Sequence, residues 1–335
     1  MNIVDQFVSG ELAQRLTQRM QMVEERLLDL VQVDDLVINK TTSHLAKAGG
    51  KRLRPALCLL AAELGPNPES DKVLDSAMVL EVTHLASLYH DDVMDDAPLR
   101  RGVPSAHYLY GNSSAILAGD ILLARASKIV ARNGEEMMMS HAIMFERLCR
   151  GQFYEIIGPQ DGEDPIEHYI KVLSDKTGSL IAAAGRNGVH DAGGSKELSE
   201  ALAEFGERVG VAFQLADDVI DLVSDPEVTG KTPGTDLVEG VATMPVLLLR
   251  KRQAAGTIDT AGAEILRILD HEDLNDDAVL MRAVGMLCEH EVLAETRQLA
   301  QQWIDDANAQ LVPVPAGEVK DALFAFGQAM VDRTA

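Results

Sequence analysis

Two short acidic motifs stand out in the sequence, in YHDDVMDDAPLRRG at 89–102 and in FQLADDVIDLVSD at 213–225. Both follow the pattern Asp-Asp-x-x-Asp, formed by Asp91, Asp92 and Asp95 in the first motif and by Asp217, Asp218 and Asp221 in the second. On a helix, the first and fifth positions project from one face, and the second lies about 100° round the helix. Clustered carboxylates repel one another unless a cation lies between them, and oxygen-only ligands suit hard cations such as Mg²⁺. A single motif of this kind is most often a solvated helix end, but two copies that each follow a strongly apolar helix favour metal binding.

Basic residues beside the acidic motifs and beside glycines predict anion binding. They are Lys51, Arg52 and Arg54 in GGKRLRP, Arg100 and Arg101 after the first acidic motif, Lys176 in SDKTGSL and Lys231 in TGKTPGTDL. The Gly-Gly pair and Pro55 suit an anion site at a helix start, although each basic residue taken alone is commonly just solvated. Together with the carboxylates, these residues predict two bound anionic groups, one held through metal and one held directly.

The overall composition excludes some classes of protein. The chain has 335 residues, with 30 Lys and Arg against 53 Asp and Glu, which gives a formal net charge of −23. Nucleic acid is therefore not an expected partner, because phosphate binding needs a basic face. The three cysteines lie far apart and form no CxxC pair, which suits a reducing compartment. We see no signal peptide and no apolar stretch long enough to span a bilayer, so we expect a cytoplasmic protein without a transmembrane segment.

The spacing of apolar residues is helical nearly throughout, for example in LTQRMQMVEERLLDLV and in LAEFGERVGVAFQLADDVIDLV. Strand signals are weak, because aromatic residues make up only 4% of the chain and no alternating segment is bounded by a hairpin turn. Proline and glycine separate the helical stretches, and no stretch resembles a flexible linker. We therefore predict an all-α protein with a single domain over residues 1–335.

Six motifs occur in the order and spacing of the trans-isoprenyl diphosphate synthases, and the chain resembles the long-chain, polyprenyl type of that family. The motifs are GGKRLRP, HDDVMDDAPLRRG, AGDILLARA, KTGSL, FQLADDVID and GKTPGTDL. The resemblance implies an isoprenoid-synthase-type helical bundle around a deep central cavity, assembled as a homodimer. It also implies a prenyltransferase that adds isopentenyl diphosphate head to tail to an allylic diphosphate, with about three Mg²⁺ ions per active site. Product release would involve transient contact with a membrane.

The same resemblance gives roles to individual residues. Asp91, Asp95 and Asp217 would be the main Mg²⁺ ligands, and Asp92, Asp218 and Asp221 would ligate metal or orient metal-bound water. Arg100, Lys176 and Lys231 would contact the allylic diphosphate, and Lys51, Arg54, His84 and Arg101 would hold isopentenyl diphosphate. Backbone carbonyls near Lys176 and Thr177, with the side-chain oxygen of Gln214, would stabilise the allylic carbocation. His84 lies two turns before Asp91 on the same helix face, although a lone histidine on an apolar helix is more often a core residue.

Small residues before the first acidic motif favour a long product. Ala86 and Ser87 precede Asp91 where short-chain family members tend to place an aromatic floor, and Thr83, one turn further back, is also small. Each helical turn advances about 5.4 Å, comparable to one isoprene unit. We expect a product between hexaprenyl and decaprenyl diphosphate, made for a respiratory quinone side chain. A floor supplied by Leu122, Leu123 or Phe153 is the alternative. A farnesyl or geranylgeranyl diphosphate synthase, or a non-catalytic prenyl-diphosphate-binding subunit, remain as other functions.

Overall fold

The computed structural model describes residues 3–224 and 233–333, which are helical almost throughout. The described helices are a 3₁₀ helix at Ile3–Gln6, α1 (Gly10–Val31), α2 (Leu36–Thr42), α3 (His44–Lys47), α4 (Leu53–Ala62), α5 (Asp71–Met94), α6 (Ala106–Tyr110), α7 (Asn112–Asn133), α8 (Glu135–Ile157), α9 (Pro165–Leu173), a π-helix at Ser174–Gly178, α10 (Ser179–Asp191), α11 (Lys196–Val223), α12 (Thr235–Val238), α13 (Met244–Ala254), α14 (Thr260–His271), α15 (Asp277–Glu289), α16 (Glu291–Gln310) and α17 (Glu318–Val331). Within these ranges, the strands are β1 (Leu99–Arg100) and β2 (Val103–Pro104), which pair antiparallel. The predicted all-α class is confirmed.

Two compact units make up the fold, and both are discontinuous in sequence. The first contains Met1–Arg147, Ser179–Gly206 and Gln310–Phe326, and the second contains Leu148–Gly178, Glu207–Ala309 and Gly327–Ala335. The single domain over residues 1–335 stays a prediction.

The first unit is organised around α5, which is apolar on nearly every face. It packs against α1, α4, α7 and α10, and its buried residues include Leu74, Leu80 and Leu85. A helix that is hydrophobic all round needs neighbours on all sides, and α5 has them. Helices α4 and α10 come especially close, because a Cβ atom at Gly188 would lie 2.2 Å from the carbonyl oxygen of Cys58.

The second unit has its own apolar core. Leu215, Leu249, Ile265, Leu287 and Val292 are fully buried there, on five different helices. Helix α9 packs against α13, and α14 packs against both α13 and α15. Leu215, Val219 and Leu222 on the C-terminal half of α11, which carries the second acidic motif, are part of this core.

The ends of α5 are defined by its polar residues. Ser70 caps the N-terminus by accepting a hydrogen bond from the backbone N–H of Lys72 at 3.2 Å. Asp95 is the C-cap, and its backbone N–H donates to the carbonyl oxygen of Asp91 at 2.8 Å. The first acidic motif therefore occupies the last turn of α5, where the helix dipole is negative and where added carboxylates increase the need for a cation.

Among the residues that the structure describes, no helix is both long enough and apolar enough to cross a membrane.

Candidate active site

The first acidic motif divides into one buried carboxylate and two more accessible ones. Asp92 is fully buried and accepts a hydrogen bond from Nε of Arg100 at 2.6 Å, while its second oxygen, Oδ2, is buried without a hydrogen-bond partner. Burial raises the pKa of Asp92, and the charge of Arg100 opposes that rise. Asp91 is half-buried and Asp95 is exposed. The first and fifth positions therefore remain on the accessible side of the motif, and the second is anchored inside.

The hairpin after α5 places two arginines beside this motif. Arg100 pairs with Val103 across β1 and β2, and the turn between them is formed by Arg101 and Gly102, both with positive φ. Two left-handed residues in a two-residue loop form the turn that best matches the twist of paired strands. The guanidinium of Arg101 donates to the carbonyl oxygens of Leu45, at 3.1 Å, and Gly49.

Glycine is required where Arg101 meets the GGKRLRP segment. A Cβ atom on Gly50, whose φ is +147°, would lie 2.8 Å from Cζ of Arg101. Any larger side chain there would displace the arginine from the backbone carbonyls that it contacts. The segment and the hairpin therefore fit together through the absence of a side chain at position 50.

Arg52 has a structural role in the same segment. It adopts a left-handed φ of 52° just before α4, and its Nε and NH2 groups donate to Glu24 at 2.8 and 2.9 Å. Its NH1 group donates to the buried carboxylate of Glu81 at 2.8 Å and to the carbonyl oxygen of Gly49 at 3.2 Å. Because Glu24 lies on α1 and Glu81 on α5, these hydrogen bonds join both helices to the start of α4.

Arg52, Arg54, Arg101 and His84 form a basic cluster, in which Arg54 and His84 have fewer partners than Arg52. The Nε of Arg54 is buried without a hydrogen-bond partner, and burial lowers the pKa of its guanidinium to about 10. Burial also lowers the pKa of His84 well below its usual value, and the charges of Arg54 and Arg101 lower it further. His84 is therefore neutral at pH 7. Lys51, the fourth residue predicted to hold isopentenyl diphosphate, is exposed.

The second acidic motif repeats the division seen in the first. Asp218 is buried and accepts hydrogen bonds from the hydroxyl of Tyr169 at 2.8 Å and from the backbone N–H of Met244 at 3.1 Å. Burial raises its pKa well above the ordinary value. Asp217 and Asp221 are half-buried, and Oδ2 of Asp221 accepts from the backbone N–H of Asp236 at 3.3 Å.

Asp217 also forms an ion pair with Arg333, which lies at the C-terminal end of the described residues. The NH2 group of Arg333 lies 2.6 Å from Oδ1 of Asp217, and the guanidinium stacks 3.9 Å from the ring centroid of Phe213. A basic residue far away in sequence therefore reaches the first carboxylate of the second motif.

The first three residues of KTGSL lie in the π-helix at Ser174–Gly178, a rare turn that is often found at functional sites, and the last two begin α10. A Cβ atom on Gly151 would lie 2.5 Å from the backbone nitrogen of Lys176, so only glycine lets α8 approach this turn. Arg150 pairs with Asp175 at 2.9 Å, and Lys176 forms an ion pair with Glu155. Thr177 and Gln214 are half-buried. Lys231 lies outside the described residues.

The three predicted chain-length residues are all buried on α5. Thr83 donates its hydroxyl to the carbonyl oxygen of Val79 at 2.8 Å, and Ser87 donates to that of His84 at 2.9 Å. Ala86 is fully buried. Across from Thr83, Nε2 of His141 on α8 lies 3.0 Å from the Thr83 hydroxyl oxygen. Burial lowers the pKa of His141, so this ring is neutral at pH 7.

Five residues that pair with Arg52 or with predicted site residues could not be found from the motifs. They are Glu24, Glu81, Glu155, Tyr169 and Arg333. Glu81 had a usable signal, because it is an acidic residue within an apolar helix and lies one turn before His84 on the same face. The other four are recognised only through their contacts. Within 3–224 and 233–333, no three His, Cys, Asp or Glu side chains form a group that could hold a metal ion.

Comparison with known proteins identifies the family. The model of the family described as Polyprenyl synthetase matches residues 35–284. The chain is 42% identical over 311 residues to the nonaprenyl diphosphate synthase of Mycobacterium tuberculosis, which covers 92% of this chain and 91% of that protein.

Solved structures agree with this result. The geranylgeranyl pyrophosphate synthase of Corynebacterium glutamicum, complexed with calcium and isoprenyl diphosphate, is 41% identical with a TM-score of 0.85, over 97% of this chain and 98% of that one. The polyprenyl synthase of Caulobacter crescentus, complexed with the same ligands, is 32% identical with a TM-score of 0.88, over 99% and 98%. The chain therefore belongs to the polyprenyl synthetase family, as its six motifs predicted.

Proposed function

We propose that this protein is a Mg²⁺-dependent prenyltransferase that condenses isopentenyl diphosphate head to tail with an allylic diphosphate. The observation that carries the proposal is the shared layout of the two acidic motifs. In each, the second aspartate is fixed in the interior, and the first and fifth stay more accessible near the C-terminal end of a helix. The similar protein from C. glutamicum was solved with calcium and isoprenyl diphosphate, which supports divalent-metal and diphosphate binding by this donor set.

Carboxylate oxygens at a helix C-terminus fit Mg²⁺, which prefers hard oxygen ligands and favours the negative end of a helix dipole. Asp91, Asp95 and Asp217 would be the main ligands, and Asp221 would ligate or orient water. Asp92 and Asp218 would support them through their buried hydrogen bonds. When bound, about three Mg²⁺ ions per active site would neutralise the charge on the leaving diphosphate.

The remaining residues of the chain bind and orient the two substrates. Arg100, Lys176 and Lys231 would contact the allylic diphosphate, and Lys176 would exchange Glu155 for it. Lys51, Arg54, His84 and Arg101 would hold isopentenyl diphosphate. The buried Nε of Arg54 offers an unused donor to that anion, and a neutral His84 can donate one hydrogen bond without adding charge.

The allylic carbocation needs nearby dipoles rather than a nucleophile. A π-helical turn interrupts the regular hydrogen-bond ladder, so a backbone carbonyl near Lys176 or Thr177 can face the cation. The side-chain oxygen of Gln214 would add a second dipole. Loss of a proton to the departed pyrophosphate would complete the reaction.

A long all-trans product is supported by the chain-length residues and by the nonaprenyl relative. Thr83, Ala86 and Ser87 are small, and the hydroxyls of Thr83 and Ser87 bond to backbone carbonyl oxygens, with His141 also near Thr83. The second candidate is a shorter product, because the geranylgeranyl pyrophosphate synthase of C. glutamicum is nearly as similar as the nonaprenyl relative.

Assembly, location and use of the product complete the proposal. We propose a homodimer, because the first unit exposes large apolar side chains on three successive helices. They are Tyr108, Leu109, Ile116, Leu117, Met138, Met139 and Ile143. A reducing, cytoplasmic location fits the three widely spaced cysteines, and transient membrane contact would accompany release of the product. A respiratory quinone is the proposed destination of the chain.

The direct test is pyrophosphate release from isopentenyl diphosphate and farnesyl diphosphate with Mg²⁺, followed by product chromatography. We expect release that depends on both substrates and on metal, with products of hexaprenyl to decaprenyl length. A product that stops at geranylgeranyl diphosphate supports the short-chain candidate. No release from the purified homodimer would support a non-catalytic subunit instead.

A further inference from the structure

Glu81 is a buried carboxylate in the centre of the basic cluster. Its side chain is 2% exposed, and Oε1 accepts from NH1 of Arg52 at 2.8 Å. The same oxygen lies 3.8 Å from NH2 of Arg101, while Oε2 is buried without a hydrogen-bond partner. Burying a carboxylate costs desolvation free energy, and neighbouring cations must offset that cost if Glu81 is to stay charged.

Three neighbouring arginines supply the positive charge that offsets the cost of burying Glu81. Arg52, Arg54 and Arg101 lie close enough for their charges to affect one another or His84, and both burial and the charge of Arg52 lower the pKa of Arg101. The attraction of Glu81 raises the pKa of all three arginines. Without a negative charge at this point, these guanidinium groups would repel one another in a partly buried space.

Of the two arginines that form ion pairs with Glu81, Arg101 depends on it more. Arg52 also has Glu24, but the hydrogen bonds of Arg101 go to the carbonyl oxygens of Leu45 and Gly49. Glu81 is the nearby carboxylate that forms an ion pair with it. Arg101 also has a left-handed backbone, at φ 55°, which the surrounding contacts must maintain.

We propose that Glu81 is a positioning residue that holds Arg101 in place for the diphosphate of isopentenyl diphosphate. The inference rests on the proposed function, since it assumes that Arg101 contacts this substrate. Glu81 does not touch the substrate in this proposal. It acts through Arg101, because its carboxylate attracts the guanidinium that also donates hydrogen bonds to the carbonyl oxygens of Leu45 and Gly49.

The proposal predicts an effect of definite sign. If Glu81 were only a nearby charge, its removal would lessen repulsion of the diphosphate and binding would tighten. If it positions Arg101, Glu81→Gln should weaken binding, because the amide NH₂ would face guanidinium donors and Arg101 would lose its ion pair. We expect the Kd and the KM for isopentenyl diphosphate to rise roughly tenfold, and the KM for the allylic diphosphate to stay within about twofold.

The experiment compares matched variants of the full-length protein. Calorimetry measures binding of isopentenyl diphosphate, and steady-state kinetics measure KM for each substrate. Glu24→Gln is the control, because Glu24 accepts two hydrogen bonds from Arg52 but is more remote from Arg101. It should leave both KM values near those of the unmodified protein. Glu81→Asp should recover part of the affinity, and Glu81→Gln should add little in an Arg101→Ala background.

Each outcome has a distinct meaning. Tighter binding in Glu81→Gln, an equal defect in Glu24→Gln, or full additivity with Arg101→Ala would overturn the role of Glu81. An unmodified protein that turns over both substrates would leave the proposed function intact in all these cases. An unmodified protein that neither binds nor consumes isopentenyl diphosphate would overturn the proposed function itself. Should Glu81→Gln fail to fold, the Glu81→Asp affinity decides the question, since a spectator carboxylate predicts no change.

Discussion

Removal of Arg333 should strengthen the binding of divalent metal to the second acidic motif. Asp217 is a proposed Mg²⁺ ligand, and in this structure its Oδ1 atom is bound by NH2 of Arg333 at 2.6 Å. A metal ion and a guanidinium cannot both take the same carboxylate oxygen in the same way. The ion pair must therefore be broken or rearranged when metal binds through that oxygen.

The structure gives the size of the effect. The side chains of Arg333 and Asp217 are 15% and 40% exposed, so the pair is neither fully solvated nor deeply buried. A partly screened pair of this kind contributes about 1 kcal/mol. That free energy corresponds to roughly a fivefold change in an equilibrium constant. The cation–π contact with Phe213 need not be lost, because Arg333 can stay on the ring while it releases Asp217.

The assay is a titration with Mn²⁺, followed by its electron paramagnetic resonance signal, with the non-reacting thiolo analogue of farnesyl diphosphate bound. Arg333→Ala should lower the apparent Kd for Mn²⁺ by roughly fivefold. Arg250→Ala is a matched control, because it removes a similarly paired arginine, 2.5 Å from Asp270, on the surface of the same unit. An unchanged or higher Kd in Arg333→Ala would refute the competition, and a higher Kd would show that Arg333 assists binding.

Four further predictions address the other parts of the site. Asp91→Ala should reduce turnover by roughly 10³-fold with helical circular dichroism unchanged, and near-normal turnover at saturating Mg²⁺ would contradict its assignment as a ligand. Arg54→Ala should raise the KM for isopentenyl diphosphate with little change in that for the allylic substrate, because the lost contact exists in ground and transition states alike; the reverse pattern would mean that the two subsites are exchanged. Ala86→Phe should shorten the product seen by chromatography. Since Ala86 is fully buried, it should also cost about 1–3 kcal/mol of unfolding free energy. Products of unchanged length in a folded variant would show that Ala86 does not limit chain length. Burial lowers the pKa of His141 in the folded state, so the unfolded chain takes up the proton first as pH falls below about 6.5 and stability is lost. His141→Gln should therefore reduce the loss of unfolding free energy between pH 7.5 and 5.5, measured by urea unfolding. An identical pH dependence in the variant would contradict this.

Helical periodicity was enough to predict the fold class and the layout of the acidic motifs. The second position of each motif lies about 100° from the first, and that angle takes Asp92 and Asp218 into the interior. What they meet there could not be predicted, because the partners come from other elements. Tyr169 and Met244 lie 49 and 26 residues from Asp218 in the chain. Such contacts depend on tertiary packing and leave no local pattern.

The basic residues were harder to interpret from the sequence. Arg52, Arg54 and Arg101 are chemically alike, but the structure gives them different surroundings. Arg52 is saturated with acceptors, Arg101 contacts backbone carbonyls, and Arg54 keeps a buried donor without a partner. The sequence could show that cations gather near GGKRLRP. It could not show which of them are already used to hold the fold.

The left-handed backbone at Arg52, Asp96 and Arg101 has a consequence for evolution and engineering. Among non-glycine residues in 3–224 and 233–333, these three have positive φ, and all lie beside the first acidic motif or the basic cluster. Each such residue costs roughly 1–2 kcal/mol that glycine would avoid. At Arg52 glycine would save this strain but would lose the hydrogen bonds to Glu24 and to the buried Glu81, and at Arg101 it would remove a proposed substrate ligand. Substitutions to glycine that relieve backbone strain elsewhere are therefore unsuitable here, because the charged side chains at these turns hold the fold or are proposed to hold the substrate.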